Sequence, residues 1–490
     1  MGHELERVEA VLAAFPFTGE YADIDLGHRA RENRARKILE VLRQHPDKGF
    51  PKAFGDRECD RFYEFLSNDD VTAEQLLEPH VRRSTLRSMA AEEVLIVHDS
   101  SEFEWKRTDP IDGMTNSGQG ASGFLGHFSI AVSPDCRICY GVLNLETIVR
   151  EKRTNPKVPW RIRYDDPEKE SLRWWRGIQE SEGRLPETVS MIHIMDRDGD
   201  IFEQIALMVE RGQRLVVRMR KDRLVCSGTD EHLTILGALR EVPALACREV
   251  NLSARKKPLP AAARRFPERE RRNATLALAA CSVAIRRPGG LDKTLPKSVP
   301  LNVVRVWEPE PPPGLEPVEW ILLTTEPIDT VEAVLKVVDY SRSRWLIEEF
   351  FKALKTGCLV ERRQLESAEA IAKTLALFVP IACELLALRA LARLAPDAPA
   401  EDFVSEEKIQ VLRAISKRKL PEKLSIQAFY MAVAALAGHL KRNGEPGWKL
   451  LGEGYRELLK AQAVWKKARE FFEARTPKRR RSPRGDGPKA

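Results

Sequence analysis

The chain has 490 residues, 43% hydrophobic and 31% charged, a composition typical of a folded globular protein with several domains. No apolar run reaches the roughly 18 residues of a membrane span and no signal-peptide core is present, so we expect a cytoplasmic protein without a membrane partner. The net charge is +7, and residues 466–490 alone hold ten Lys or Arg against three Asp or Glu. Any nucleic-acid surface in the remaining chain must therefore come from a local arrangement of basic residues.

Eight scattered cysteines fit a reducing compartment. The only close pair is Cys136-x-x-Cys139. Because structural zinc needs four ligands, this pair predicts a turn between two strands and not a zinc site.

Residues 1–85 are predicted to be helical. A basic helix is predicted from His28 to His45, with Arg29, Arg31, Arg34, Arg36 and Lys37 set against Ile38, Leu39, Val41 and Leu42. Two shorter helices are expected at Asp60 to Leu66 and Ala73 to Leu77. The arginine-rich face of the first helix is either a solvated face or a phosphate-binding one, and the pattern alone favours the solvated face.

Residues 86–219 carry strand patterns with acidic residues at two of their ends. Strands are predicted at Val94 to His98, Gly126 to Val132, Cys139 to Leu145, Val189 to Met195 and Arg214 to Met219, with helices over 168–182 and after Asp200. Asp99 follows the first strand and Asp196 the fourth. This order is expected of a ribonuclease H-like fold, in which those two strands are adjacent, although an Asp at a strand end is more often a turn or cap residue.

Residues 220–324 interrupt this pattern with Pro, Gly and basic loops. Strands are predicted at Ala274 to Ile285, Leu301 to Val306 and Trp320 to Thr324. The basic residues of these loops are either DNA contacts or parts of a solvated linker. They are Arg255, Lys256, Lys257, Arg264, Arg265, Arg269, Arg271 and Arg272.

Residues 340–358 predict a helix that ends at Gly357. At about 100° per residue, Leu346, Ile347, Phe350 and Leu354 share one face, and Arg344, Glu348, Lys352 and Lys355 share the other, with Phe351 among them. Glu349 falls off this second face. One acid among three bases suits a site that holds a divalent metal and a phosphate backbone, but an amphipathic helix with ion pairs fits the pattern equally well.

The C-terminal third is predicted to be helical. An apolar helix is expected from Leu365 to Leu394, and further helices from Ser425 to Lys441 and from Tyr455 to Arg475. Residues 476–490 are rich in Pro, Arg and Gly and are expected to be disordered.

The run from Arg344 to Gly357 resembles the signature of bacterial cut-and-paste DDE transposases, specifically the Tn-five-like branch of the IS-four family. That motif is Tyr, two residues, Arg, three residues, Glu, six residues, Lys. Arg344, Glu348 and Lys355 match it, whereas Ser341 stands at the Tyr position and Tyr340 one residue earlier. The resemblance extends from Leu26-Gly27 to Gly454.

The resemblance implies an α/β fold with a ribonuclease H-like catalytic core, a mixed sheet flanked by helices, and a β-rich insertion. The implied domains are a helical end-recognition domain (1–85), the core in two parts (86–219 and 325–394), the insertion (220–324), a helical dimerisation region (395–475) and a basic tail (476–490).

The implied catalytic residues are Asp99, Asp196 and Glu348. They would bind two Mg²⁺ ions, with Mn²⁺ as a substitute, Asp99 bridging both ions. The implied DNA-binding residues are Arg31, Arg34, Arg218, Trp320, Arg344, Trp345, Lys352 and Lys355, with Trp320 stacking a flipped base and Trp345 wedging the terminal bases.

The implied function is excision through a DNA hairpin and integration into target DNA, by a homodimer on double-stranded transposon ends. Two alternatives remain at this stage. One is a ribonuclease H-like nuclease that cleaves but never joins strands, and the other is a catalytically silent DNA-binding inhibitor or domesticated transposase.

Overall fold

The computed structural model describes residues 20–45, 48–106, 109–114, 121–135, 138–149, 170–228, 231–252 and 270–475. Several predictions fall outside these residues. They concern the basic loop residues Arg255 to Arg269, Cys136 and the tail 476–490.

Four helices are described in the N-terminal region from residue 20 onward. They are α1 (Arg29–Gln44), α2 (Phe50–Phe54), α3 (Asp56–Leu66) and α4 (Ala73–Met89). The His28 side chain caps α1, and a capping box between Thr72 and Gln75 begins α4. Helix α4 was predicted only to Leu77, but it continues through Pro79 because its buried face packs against the sheet and a long core helix.

A nine-stranded sheet forms the centre of the molecule. Its strands are β1 (Glu93–Lys106), β2 (Ala121–Val132), β3 (Cys139–Ile148), β4 (Ser190–Met195), β5 (Arg214–Arg218), β6 (Ala246–Leu252), β7 (Arg272–Arg286), β8 (Ser298–Trp307) and β9 (Glu319–Thr324). The spatial order is β3-β2-β1-β4-β5-β9-β8-β7-β6. Strands β1, β4 and β5 are parallel, and every other pairing is antiparallel.

The first and fourth strands are adjacent, as predicted, but β1 does not end at Asp99. Its pairing with β4 stops at Val97 and Ile194, whereas its antiparallel pairing with β2 continues to Lys106. The prediction that a strand ends at Asp99 was therefore wrong. Asp99 instead lies in the part of β1 that extends past the end of β4, where that side of β1 has no β4 partner.

The strands of residues 220–324 continue the same sheet. Strand β9 pairs with β5 through Val216–Thr324, Val217–Leu323 and Arg218–Leu322. The sheet then extends through β8, β7 and β6, of which β6 was not predicted from the sequence.

Helices cover both faces of the sheet. On one face lie α5 (Arg173–Arg184), α6 (Phe202–Glu210) and α7 (Ile235–Arg240). On the other lie α8 (Val331–Ser343), α9 (Trp345–Lys352) and α10 (Ala368–Leu394). This second face is called the α9 face below.

The predicted continuous helix over 340–358 is wrong in detail. Helix α8 ends at Ser343, α9 spans Trp345–Lys352, and a π-helical turn follows at Ala353–Gly357. The chain tightens at Arg344, because the Arg344 amide donates to the Ser341 carbonyl and the Ile347 amide to the Arg344 carbonyl, each three residues back. Phe351 is also buried and not among the exposed bases, since its ring packs edge-on against Phe128 of β2.

Helix α10 is long and apolar enough to cross a membrane, contrary to the expectation that no such segment exists. However, 83% of its apolar window is buried inside the protein. Such burial is typical of the core helix of a globular protein, and α10 contacts α1, α3, α4 and α9.

Helices α11 (Glu406–Ile415), α12 (Ile426–Leu436) and α13 (Trp448–Arg475) form the C-terminal region. Helix α13 packs so closely on its neighbours that Gly454 faces the Val433 carbonyl of α12 and Gly452 faces Gly357 of the π-helical turn. The C-terminal helix therefore contacts the segment that follows Glu348.

A buried polar cluster joins the N-terminal region to the C-terminal helices. Glu384 of α10 accepts hydrogen bonds from Arg43 of α1 (2.8 Å), from Lys408 of α11 (3.0 Å) and from the Tyr455 hydroxyl of α13. Burial alone would raise the pKa of Glu384, but Arg43 and Lys408 overcome it and lower this pKa to about 2. The cluster fixes α1 against the C-terminal helices.

Candidate active site

The sheet register places Asp99, Asp196 and Arg218 side by side on the α9 face. Val97 pairs with Ile194, and Ile194 pairs with Val216; all three side chains belong to the core on that face. Two residues further along each strand, the side chains return to the same face. Asp99, Asp196 and Arg218 therefore form a row across the sheet, at the level where β4 and β5 end and β1 continues.

Asp99 is nearly buried and contacts a cation. Its carboxylate accepts a hydrogen bond from the Ser100 amide (2.8 Å) and a second from the guanidinium of Arg344. Burial raises the pKa of Asp99 to about 7, Arg344 opposes this rise, and the carboxylates of Asp196 and Glu348 add to it. Asp99, Asp196 and Glu348 are thus electrostatic neighbours, and Arg344 neutralises only part of their charge.

Asp196 ends β4 and caps a short 3₁₀ turn by accepting from the Asp198 amide (2.8 Å). The two acids that follow have other partners. Asp198 pairs with Arg220 at the surface, and Asp200 forms a buried ion pair with Arg223 (2.6 Å). Asp200 is structural in this conformation, and Asp196 is the acid of this group that belongs to the row.

Glu348 and Glu349 of α9 point to different surroundings. The Glu348 side chain is 37% exposed and lies 3.8 Å from Arg344. Glu349 is directed towards Arg389 (4.0 Å) and Arg393 (3.8 Å) of α10, and Arg393 also pairs with Glu445. The sequence pattern had separated these two acids in the same way.

The remaining basic residues of this segment are near the row but have partners within the chain. Lys355 pairs with Glu361 (3.1 Å) and lies over the ring of Phe103. Trp345 is 55% exposed, and the Lys352 ammonium lies 4.9 Å from the centre of its ring. An exposed indole beside a cation is a surface suited to stacking and phosphate contact.

Trp320 lies on the α9 face of β9. Leu322, the next residue of β9 on the same face, pairs with Arg218 of β5. Trp320 therefore lies beyond Arg218 at the end of the row. The indole is half-buried and packs against the main core. It combines an accessible edge with a packing role.

The two predicted DNA-binding arginines of α1 form ion pairs within the N-terminal region. Arg31 pairs with Asp70, and Arg34 pairs with Glu58 (2.8 Å), which Lys37 also contacts. These hydrogen bonds lower the pKa of Glu58 to about 2, so the carboxylate is ionised at neutral pH. Arg31 and Arg34 lie on α1, whereas the row lies on the strands of the sheet.

The donor chemistry of Asp99, Asp196 and Glu348 fits a hard divalent cation, because all three side chains supply carboxylate oxygens. Asp99 is buried, and Arg344 offsets only part of the effect of burial on the pKa of this carboxyl group. Within the described residues, no group of three or more His, Cys, Asp or Glu side chains is close enough to hold a metal ion. The acids must therefore draw together, and Arg344 must move, before the three can share a cation.

Two protein families match the chain. Residues 17–71 match the transposase DNA-binding family, and residues 203–379 match the transposase DDE domain family. The chain is a DDE transposase. The DDE match includes Glu348 and begins after Asp99 and Asp196, so it covers one of the three candidate acids.

A transposase of this kind binds DNA, and its DDE domain generally uses divalent metal ions for DNA cleavage and strand transfer. One solved structure, described as a piggyBac transposase synaptic complex with hairpin DNA, aligns with 96% of this transposase and 80% of that chain. The identity is 11% and the TM-score 0.33.

The sequence pattern missed several residues that lie near the candidate acids. Arg389 and Arg393, which bind Glu349, lie in a helix that was predicted only as apolar core. His98 and His193 lie beside the acids in the chain and are fully buried. The sequence associates His98 and His193 with the acids only through their positions, directly before Asp99 and three residues before Asp196.

Proposed function

We propose that this transposase is a cut-and-paste enzyme of the Tn-five-like branch of the bacterial IS-four family, with a ribonuclease H-like core. The row of Asp99 and Asp196 on parallel strands, electrostatically coupled to Glu348 from a helix, is the observation that carries the proposal. Three carboxylates from three separate elements converge on one face. The strand order β3-β2-β1-β4-β5, with β1 next to β4, further supports such a core.

Asp99, Asp196 and Glu348 would hold two Mg²⁺ ions, or Mn²⁺ in their place. When bound, such ions activate the attacking water and neutralise charge at the phosphate. Asp99 would contribute to both ions, and Asp196 and Glu348 to one each. The guanidinium of Arg344 lies between Asp99 and Glu348. Arg344 would leave Asp99 and bind a DNA phosphate.

The neighbouring residues would position DNA. Arg218, Lys352 and Lys355 would contact the backbone, and Lys355 would exchange Glu361 for a phosphate. Trp320 would stack on a flipped base during hairpin formation, and Trp345 would wedge the terminal base pairs.

The N-terminal region would recognise transposon ends through Arg31 and Arg34. Phosphate oxygens would compete with Asp70 and Glu58 for these guanidinium groups, and DNA binding should weaken as salt concentration rises. We also propose a homodimer on two transposon ends, with residues 395–475 in the interface, and a cytoplasmic protein associated with the nucleoid.

The deciding experiment is excision from a DNA fragment that carries the inverted repeats flanking the gene, with Mg²⁺. Asp99→Ala, Asp196→Ala and Glu348→Ala should abolish cleavage while gel-shift binding to the ends persists. Asp198→Ala is the matched control, since its side chain is 61% exposed and its partner is Arg220. Full cleavage by the Glu348 variant, or loss of cleavage by the Asp198 variant, would contradict the assignment.

A precut end offered with target DNA distinguishes a transposase from a nuclease. Joined product is expected from the wild-type protein. Cleavage without any joined product would instead indicate a nuclease, and DNA binding without cleavage would indicate a silent DNA-binding protein.

A further inference from the structure

A hydrogen-bonded chain of four side chains crosses the sheet on the face opposite Asp99 and Asp196. Glu182 of α5 contacts Nε2 of His193 (2.8 Å), and Nδ1 of His193 contacts Nε2 of His98 (2.9 Å). Nδ1 of His98 contacts the Ser129 hydroxyl (2.8 Å). His193, His98 and Ser129 are completely buried and belong to β4, β1 and β2.

The hydrogen bonds of this chain run in one direction. The Glu182 carboxylate can only accept, so Nε2 of His193 donates to it. Nδ1 of a neutral His193 is then an acceptor for Nε2 of His98, and Nδ1 of His98 accepts from the Ser129 hydroxyl. Burial, with His193 and His127 nearby, holds the pKa of His98 well below its ordinary value, which agrees with a neutral ring.

A second set of contacts fixes α5 to the same part of the sheet. The Ser100 hydroxyl accepts from Nε of Arg173 (2.9 Å) and contacts Nδ1 of His127 (2.9 Å). A Cβ atom on Gly177 would lie 3.0 Å from both Nε2 of His127 and the Ser129 hydroxyl. Helix α5 therefore lies against the sheet at a distance that only glycine allows, and it carries Glu182 to His193.

The position of the chain relative to the candidate acids is specific. His98 is adjacent to Asp99 in β1 and points to the other face, and His193 precedes Asp196 in β4 by three residues. The contact between the two imidazoles joins β1 to β4 at the last backbone pair of these strands, because His98 follows Val97 and His193 precedes Ile194. Beyond that pair, Asp99 and Asp196 have no further β1–β4 backbone hydrogen bonds to keep them in register.

We propose that the chain from Glu182 through His193 and His98 to Ser129 is a positioning device that holds the ends of β1 and β4 together, so that Asp99 and Asp196 can bind the same divalent cations. The inference rests on the proposed function. Glu182, His193, His98 and Ser129 act through the strands and do not contact the cation. A polar chain has defined lengths and directions, and it therefore specifies strand spacing more closely than apolar packing does.

Glu182 is the member of the chain best suited to a test, because its side chain is partly exposed whereas the other three are completely buried. Mn²⁺ binding to the full-length protein without DNA is measured by electron paramagnetic resonance of the free ion, together with Tm. We expect Glu182→Ala to weaken Mn²⁺ binding about tenfold, the effect typical of outer-shell partners. Glu182→Gln keeps an acceptor oxygen for His193 and should bind within about twofold of wild type.

Two controls on the same helix separate positioning from general stability. Glu180→Ala removes an exposed carboxylate of the same charge and should change neither Mn²⁺ binding nor Tm. Arg184→Ala breaks the ion pair with Glu78 (2.8 Å) and should lower Tm without changing Mn²⁺ binding.

The proposal is overturned if Glu182→Ala lowers Tm but binds Mn²⁺ like wild type, or if Glu182→Gln loses as much affinity as Glu182→Ala. In both cases wild-type cleavage would leave the proposed function intact. A wild-type protein that neither binds Mn²⁺ nor cleaves DNA would overturn the proposed function and this inference together.

Discussion

The guanidinium of Arg344 contacts the carboxylate of Asp99, although the two residues lie 245 positions apart in the chain. Arg344 occupies the tight turn between α8 and α9, 3.8 Å from Glu348. A single positive charge therefore lies between two of the three candidate metal ligands. This contact neutralises part of the negative charge around Asp99, and we expect a divalent cation bound at the candidate acids to compete with it.

The Arg344 contact predicts opposite effects on metal binding and on cleavage. In Arg344→Ala the acids lose their internal cation, so Mn²⁺ should bind about tenfold more tightly in the absence of DNA. Cleavage of transposon ends should nevertheless fall, because the proposed contact of Arg344 with a DNA phosphate would be lost. The matched control is Arg342→Ala, whose partner is Asp339. Weaker Mn²⁺ binding by the Arg344 variant would show that Arg344 does not compete with the metal.

A Trp320 variant would distinguish hairpin formation from simple DNA cleavage. If its indole receives a flipped base, Trp320→Ala should leave first-strand nicking intact and slow hairpin formation by about 1–3 kcal/mol, or ~5–150-fold. An abasic site at the flipped position should restore part of that rate, since less unstacking is needed. Nicking and hairpin products are followed on denaturing gels. Equal losses in both steps with a lowered Tm would mean that Trp320 only packs in the core.

Glu384 predicts a loss of stability in acid. Its folded-state pKa of about 2 lies below the ordinary value near 4.5, so its contribution is fully present above pH 4.5 and is lost as the pH falls towards 2. That contribution is about 3 kcal/mol. Glu384→Gln should be less stable at pH 7 and should lose less stability between pH 4.5 and 3, measured by urea unfolding. Glu40→Gln, an exposed acid of α1, should keep the wild-type pH profile, and an unchanged profile in Glu384→Gln would contradict the prediction.

Three helical glycines should respond differently to alanine. At Gly454 a Cβ atom would lie 1.9 Å from the Val433 carbonyl, so Gly454→Ala must separate α12 from α13 and should cost about 3 kcal/mol or more. At Gly452 the Cβ atom would lie 3.1 Å from Gly357, which predicts a smaller loss. Gly183→Ala in α5 meets nothing within 4 Å and should stabilise the protein by about 0.5–1 kcal/mol. Tm values for the three variants test this order, and a stable Gly454 variant would refute it.

The parts of the site that follow from local pattern could be predicted. An apolar run before Asp196 predicts a buried strand, and helical periodicity separates Glu348 from Glu349. Both predictions depend on neighbouring residues only, and the structure agrees with both.

The features that depend on distant partners could not be predicted. Asp99 lies within β1 and not at its end, because β2 continues beside it for several residues. Phe351 is buried because Phe128 of β2 faces it. The chain at Arg344 tightens into a separate turn, and its guanidinium finds Asp99 of a strand formed much earlier in the sequence. None of these partners is visible in a window of local sequence.

The pairing of β5 with β9 has a consequence for synthesis of the chain. The free edge of β5 stays open until residues 319–324 have been made, and Glu348 follows only after them. Open strand edges on a nascent chain favour aggregation, and long-range pairing of this kind folds slowly. A chain released before that point would lack Glu348, the third candidate acid, and would expose a strand edge, so we expect it to be a substrate for chaperones and proteases.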